Sequence, residues 1–92
     1  MITGTLKAGA IYHGTAWLGC PNEDIWVLVI KGEGPRPMGV VIVDVDPGPR
    51  TLPPGERFPL DDTDEGEVVP DDQVPDWVWG KLATLRMMGA VA

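Results

Sequence analysis

The sequence predicts a mainly β (α+β) domain, in which a small, strongly bent antiparallel sheet of about five strands precedes one C-terminal helix. Two continuous, β-branched apolar runs, residues 25–30 and 40–45, predict the central strands. Residues 75–88 carry apolar side chains at helical spacing. A chain of 92 residues has room for a single core, so we expect one domain over residues 1–92, with the sheet and its acidic, proline-rich loops in residues 1–70.

The strands follow from local patterns. Alternating apolar residues over 2–12, broken by Gly4 and Gly9, predict one or two short strands that bend at the glycines. Residues 16–18 are predicted to continue a strand. Residues 25–30 are apolar at every position, which predicts a strand covered on both faces. The polar Gly/Pro segment 31–37 makes an antiparallel hairpin with residues 40–45 the simplest pairing.

Prolines and glycines dominate residues 46–59, which excludes a helix there. Residues 56–60 predict a short edge strand held by Phe58 and Leu60, residues 61–66 an acidic loop, and residues 67–70 a last short strand. The bent sheet and the closing helix together favour an SH3-like or comparable small barrel.

The helix should begin near Pro75, because proline suits a first helical position, and Gly89 is a plausible end. Trp77 and Trp79 flank its apolar side, so at least one of the two rings should be partly exposed. The residues that we expect to be mostly buried are Trp26, Leu28, Ile30, Val41, Val43, Val78, Leu82 and Leu85.

Charge is concentrated in one part of the chain. Nine of the fourteen acidic residues lie in residues 56–76, and residues 51–79 carry a net charge of −8 with one arginine among them. Such a block needs either solvent or a cationic partner, and it disfavours direct contact with nucleic acid or anionic membrane. The residues predicted to contact a partner are Asp61, Asp62, Asp64, Glu65, Glu67, Asp71, Asp72, Trp77 and Trp79.

Catalytic and metal chemistry find little support. Cys20 is the one cysteine and His13 the one histidine, and no spacing brings either close to an orienting carboxylate such as Asp24. The acidic segment 61–72 lacks the ligand pattern of a calcium loop, and zinc lacks its ligands. We therefore expect no catalytic residue, no metal and no cofactor. The absence of a signal peptide and the single cysteine favour the cytoplasm, and the composition is typical of a GC-rich genome such as that of an actinobacterium or its phages.

Residues 9–12 (Gly-Ala-Ile-Tyr) and 36–41 (Arg-Pro-Met-Gly-Val-Val) resemble the opening strands of MazF/PemK-type toxins. That resemblance implies an SH3-like barrel that cleaves RNA, with Arg36 contributing to cleavage. The chain departs from the family pattern where Ala10 replaces an aspartate and where the strand at residues 25–30 intervenes.

These observations predict a small acidic binding module without catalytic activity, which contacts a basic surface on another protein. A regulator or inhibitor encoded by a phage or mobile element fits its size. One alternative is a degenerate MazF/PemK-like RNase that uses Arg36 and His13. Another is a structural subunit of a larger assembly that buries an exposed sheet edge. A separate interpretation of the acidic block is a solvated loop that keeps the protein soluble.

Overall fold

A computed structural model describes residues 2–14, 25–32, 37–45, 53–60 and 66–89. This part of the chain is mainly β with one C-terminal helix, as predicted. Its elements in chain order are β1 (Ile2–Thr3), β2 (Ile11–Gly14), β3 (Ile25–Lys31), β4 (Met38–Asp44), β5 (Arg57–Pro59), β6 (Gly66–Val69), a 3-10 turn (Asp71–Gln73) and α1 (Asp76–Met87). The predicted continuation at residues 16–18 and the acidic loop before β6 lie largely outside the described residues.

The strands form one sheet in the order β1-β6-β2-β3-β4-β5. β3 and β4 pair antiparallel from Ile25 opposite Asp44 to Lys31 opposite Met38, which confirms the predicted hairpin. β6, β2, β3 and β4 form the antiparallel centre, while β1 adds to β6 in parallel and β5 adds to β4 as an edge.

The predicted barrel of about five strands is not confirmed. β1 and β5 lie at opposite ends of the strand order, so the described strands form an open sheet. These edge strands have two and three residues and therefore offer few backbone groups with which to close a ring. The last short strand predicted at residues 67–70 is confirmed as β6, and it lies between β1 and β2 in the sheet.

Two bulges bend the central hairpin. The register shifts between Trp26 and Val27, where Ile42 is the extra residue of β4, and again between Val29 and Lys31, where Ile30 is the extra residue of β3. An extra residue on one strand bends that strand and increases its twist. The two bulges are therefore a local source of bending in this hairpin.

The core has two parts, one on each face of the sheet. On the helix side, strand residues such as Ile11, Leu28 and Val40 pack with the buried residues of α1. On the other side Tyr12, Ile25, Val27, Val29, Val41 and Leu60 form a second cluster, against which Leu6 and Ala10 pack. The prediction that β3 is covered on both faces is thus confirmed.

Six of the eight predicted core residues are buried. Ile30 and Val43 are instead partly buried and pack against the margin of the helix-side cluster. Ile30 is the bulged residue of β3, and Val43 adjoins the bulge of β4, so both lie where the regular pleat of the strand is interrupted.

The helix lies within a residue of its predicted limits. Pro75 immediately precedes it, and Val78, Leu82 and Leu85 are its buried residues. Gly89 follows with a φ of 76°, a left-handed conformation that favours glycine and ends the helix. In the described part of the chain, no helix has the length and apolar character needed to cross a membrane.

Candidate acidic and aromatic surface

Four described carboxylates belong to β6, the 3-10 turn and the start of α1. Glu67, Asp71, Asp72 and Asp76 are all exposed. Asp76 lies in the first helical turn, where it interacts favourably with the positive end of the helix dipole. The predicted partner residues Asp61, Asp62, Asp64 and Glu65 lie outside the described residues.

One backbone hydrogen bond and one buried side chain keep the two aspartates of the 3-10 turn, Asp71 and Asp72, exposed to solvent. The Gln73 amide donates to the Pro70 carbonyl at 2.8 Å, which closes the turn. Val74, the next residue, is 5% exposed and packs in the helix-side core. Because the chain is anchored by Val74, Asp71 and Asp72 remain in solvent, where their charges need no buried partner.

The same two aspartates line a groove of about 620 Å³. Segments 7–10 and 68–72 form its walls, and its lining includes Lys7 as well as the two aspartates. The first wall is fixed by backbone hydrogen bonds, in which the Ala10 amide donates to the Lys7 carbonyl at 3.0 Å and the Gly9 amide to the Val29 carbonyl at 2.8 Å. The groove is therefore polar at one end and built on ordered backbone.

Among the described residues, Trp26 contacts two other aromatic rings, those of His13 and Trp77. His13 and Trp26 are opposite each other on β2 and β3, and their rings stack with centroids 3.8 Å apart and planes 6° apart. Trp77, at the start of α1, meets Trp26 edge to face at 6.1 Å. Trp26 is 6% exposed, whereas Trp77 is 48% exposed.

The strand pairing places one of these carboxylates, Glu67, next to the stacked rings. Glu67 on β6 is opposite His13 on β2, which is in turn opposite Trp26 on β3. Asp76 precedes Trp77 directly in the chain. We use the name acidic-aromatic surface for Glu67, Asp71, Asp72, Asp76 and Trp77.

The two predicted tryptophans have different environments. Trp77 is exposed beside the carboxylates, whereas Trp79 is partly buried and packs against the helix-side core. The expectation that at least one ring is partly exposed is therefore met by both, and Trp77 has by far the more accessible position. This difference follows from the helical spacing, which turns Trp77 and Trp79 about 200° apart around α1.

Sequence reasoning missed the contribution of His13 and Trp26. Their stacking depends on the register of β2 against β3, and the two residues are far apart in the chain. No local motif signals such a pair, because its cause is a hairpin register set by the core on both sheet faces.

Chemically, the surface is suited to cationic groups. Carboxylates accept hydrogen bonds from lysine and arginine, and an exposed indole can receive a guanidinium on its face. Within the described ranges, no three His, Cys, Asp or Glu side chains are grouped so as to hold a metal ion.

Comparison of the chain with known protein families, with curated proteins and with solved structures finds no match.

Proposed function

We propose that this protein is a small binding module, without catalytic activity, that docks on a basic surface of another protein. The acidic-aromatic surface is the docking site, and Trp77 is its apolar anchor. The observation that carries the proposal is the 48% exposure of Trp77 beside carboxylates that are themselves exposed.

The two kinds of residue have different tasks in such a complex. Clustered carboxylates accelerate the encounter with a cationic surface, and their effect falls as salt screens it. A large aromatic side chain that becomes buried on binding slows dissociation, and tryptophan is among the residues that most often dominate binding energy. Net charge supports the first task, since residues 51–79 carry −8.

The experiment begins with capture of partners from cell lysate by the wild-type protein and by a triple variant, Glu67→Gln/Asp71→Asn/Asp72→Asn. Proteins retained by the wild type are identified, whether or not the triple variant also retains them, and their association is followed by stopped flow from 0.05 to 0.5 M salt. We expect the triple variant to associate about tenfold more slowly at low salt and to lose most of its salt dependence.

Matched variants separate charge from contact. Trp77→Ala should raise the dissociation rate by about tenfold while leaving the association rate nearly unchanged. Glu56→Gln removes one exposed carboxylate that directly precedes β5, and β5 lies at the opposite edge of the sheet from β1 and β6. This variant should change neither rate beyond the small effect of one screened charge.

The carboxylates outside the described residues are tested by changing Asp61, Asp62, Asp64 and Glu65 together to their amides. Stability should hold or rise slightly, because repulsion falls, and the association rate should fall further. If a partner binds the triple variant, this quadruple variant and Trp77→Ala with the same association and dissociation rates as the wild type, the acidic residues only solvate the protein.

A further inference from the structure

The outer side of α1 carries three large exposed apolar side chains, and among the described residues a ring contact is seen only at Trp77, with Trp26. At 100° per residue, this side lies opposite the buried Val78, Leu82 and Leu85. Its ends are large side chains, Trp77 at the start of the helix and Met87 at the end, with Met88 beside it. Met87 and Met88 are 88% and 73% exposed. The residues of this outer face are Asp76, Trp77, Gly80, Ala83, Thr84, Met87 and Met88.

The middle of the outer face is shaped for close approach. A Cβ built on Gly80 meets nothing within 4 Å, so no contact inside the described structure requires glycine at this helical position. Glycine is nevertheless among the poorest helix formers. The Thr84 hydroxyl donates to the Gly80 carbonyl at 3.1 Å, so its hydrogen bond is already made within the helix. Another helix could therefore cover this region without leaving that donor unpaired.

The charges near the two ends of α1 indicate what kind of partner would cover its outer face. Asp76 lies in the first helical turn and Arg86 in the last, and their positions differ by about 80° around the axis, on the same flank of the outer face. A second helix of the same sequence that runs in the opposite direction brings Arg86 toward Asp76 in both copies. A parallel arrangement would instead place Asp76 against Asp76. The helix dipoles also favour the antiparallel arrangement.

We propose that α1 pairs antiparallel with α1 of a second copy of this chain, around a twofold axis near Leu82. Trp77 then lies against Met87 and Met88 of the partner subunit, and Gly80 lies against Thr84 of the partner subunit. Tryptophan and methionine sulfur make favourable contacts, and the small central residues let the two helices approach closely. The inference does not rest on the proposed function, although both use Trp77.

The size of the face sets the expected affinity. Twelve helical residues span about 18 Å, so the paired helices bury an area at the low end of specific interfaces. The net charge of −7 also makes two copies repel at long range. We therefore expect a dissociation constant on the order of 10⁻⁴ M, measured at about 0.15 M salt, where the Debye length is about 8 Å.

Sedimentation velocity of the whole chain at concentrations from about 10⁻⁵ to 10⁻³ M measures this association. The wild type should shift from 9.9 kDa toward twice that mass. Gly80→Leu should weaken the dimer more than tenfold. Gly80→Ala should weaken it by a few fold while raising the unfolding midpoint of the dilute monomer by about 2–6 °C, because alanine favours the helix.

A charge swap tests the orientation. Asp76→Arg and Arg86→Asp should each self-associate less than the wild type, and the double variant Asp76→Arg/Arg86→Asp should recover wild-type self-association, because only the antiparallel arrangement brings position 76 to position 86. An equimolar mixture of the two single variants should also form a mixed dimer. Glu67→Gln, a change within the acidic-aromatic surface but away from the helix, should leave self-association unchanged. If Glu67→Gln slows binding to a basic partner while Gly80→Leu abolishes only self-association, the dimer and the proposed function are separated.

Three results would overturn the inference. The first is a wild type that stays monomeric at about 10⁻³ M, since the outer face would then belong to a different protein or to solvent. The second is a dimer that Gly80→Leu leaves intact, because the contact would lie elsewhere. The third is an equimolar mixture of the charge variants that stays monomeric. Circular dichroism establishes that Gly80→Leu is folded, and Met87→Glu provides a second disruption at an exposed position.

Discussion

Replacing Leu82 by alanine tests whether α1 is part of the fold or only rests on it. Leu82 is fully buried and packs in the helix-side cluster with strand residues such as Ile11 and Leu28. The change removes three carbon atoms, for which the transfer term is about 2.4 kcal/mol at about 0.8 kcal/mol each. A cavity term adds to it where the sheet cannot follow the lost volume, whereas collapse of the surface helix onto the sheet reduces it. We expect a loss of about 2–4 kcal/mol in the free energy of unfolding.

Urea unfolding followed by circular dichroism and by tryptophan fluorescence measures this loss. The two signals should give coincident transitions with an unchanged slope, because the mutation alters stability and not the surface exposed on unfolding. Met87→Ala is the matched control, since it shortens a side chain that is 88% exposed on the same helix and should change stability by less than about 0.5 kcal/mol. A loss below about 0.5 kcal/mol for Leu82→Ala would refute the packing of α1 as structural support for the sheet.

Two further predictions concern glycine packing and catalysis. A Cβ on Gly66 would lie 2.5 Å from the His13 carbonyl oxygen and 2.6 Å from the Tyr12 hydroxyl oxygen, so Gly66→Ala should destabilise the protein by about 1–3 kcal/mol in urea unfolding, whereas Gly80→Ala should stabilise it by about 0.5–1 kcal/mol. Equal effects of the two substitutions would contradict the close approach of Tyr12. Because we propose a protein without catalytic activity, Arg36→Ala and His13→Ala should leave its biological effect intact. An RNA cleavage assay in which the wild type is active and Arg36→Ala is inactive would favour the toxin-like alternative instead.

Much of the fold could be predicted from local chemistry. The apolar runs that became β3 and β4 are long enough, and β-branched enough, to indicate strands without tertiary information. Pro75 and Gly89 bracket the helix for reasons that act within a few residues. It was harder to predict whether the sheet closes into a barrel and in which order its strands lie. β6 lies between β1 and β2, an arrangement that depends on pairing between distant segments.

In the candidate site, too, some residues could be predicted from local sequence and others depended on tertiary structure. Glu67, Asp71, Asp72 and Trp77 stood out because their charge or aromatic character is visible in the sequence, and the structure exposes all four. Their role in binding a partner stays a prediction. The stack of His13 on Trp26 could not be predicted, because ring contact between two strands depends on register.

The sequence by itself determined a mainly β domain with a terminal amphipathic helix and a strongly acidic segment before it. These properties are local, since they follow from side-chain periodicity, from proline and glycine geometry and from charge. Only the tertiary structure decided which strands are neighbours, where the bulges bend the hairpin, and which ring is accessible. Side chains on both faces of β3 are buried in packed clusters, and a shift of one residue would exchange the members of the two clusters, so the packing of particular side chains fixes the register. The same register carries His13 to Trp26 and leaves Trp77 at the edge of the core, half in solvent.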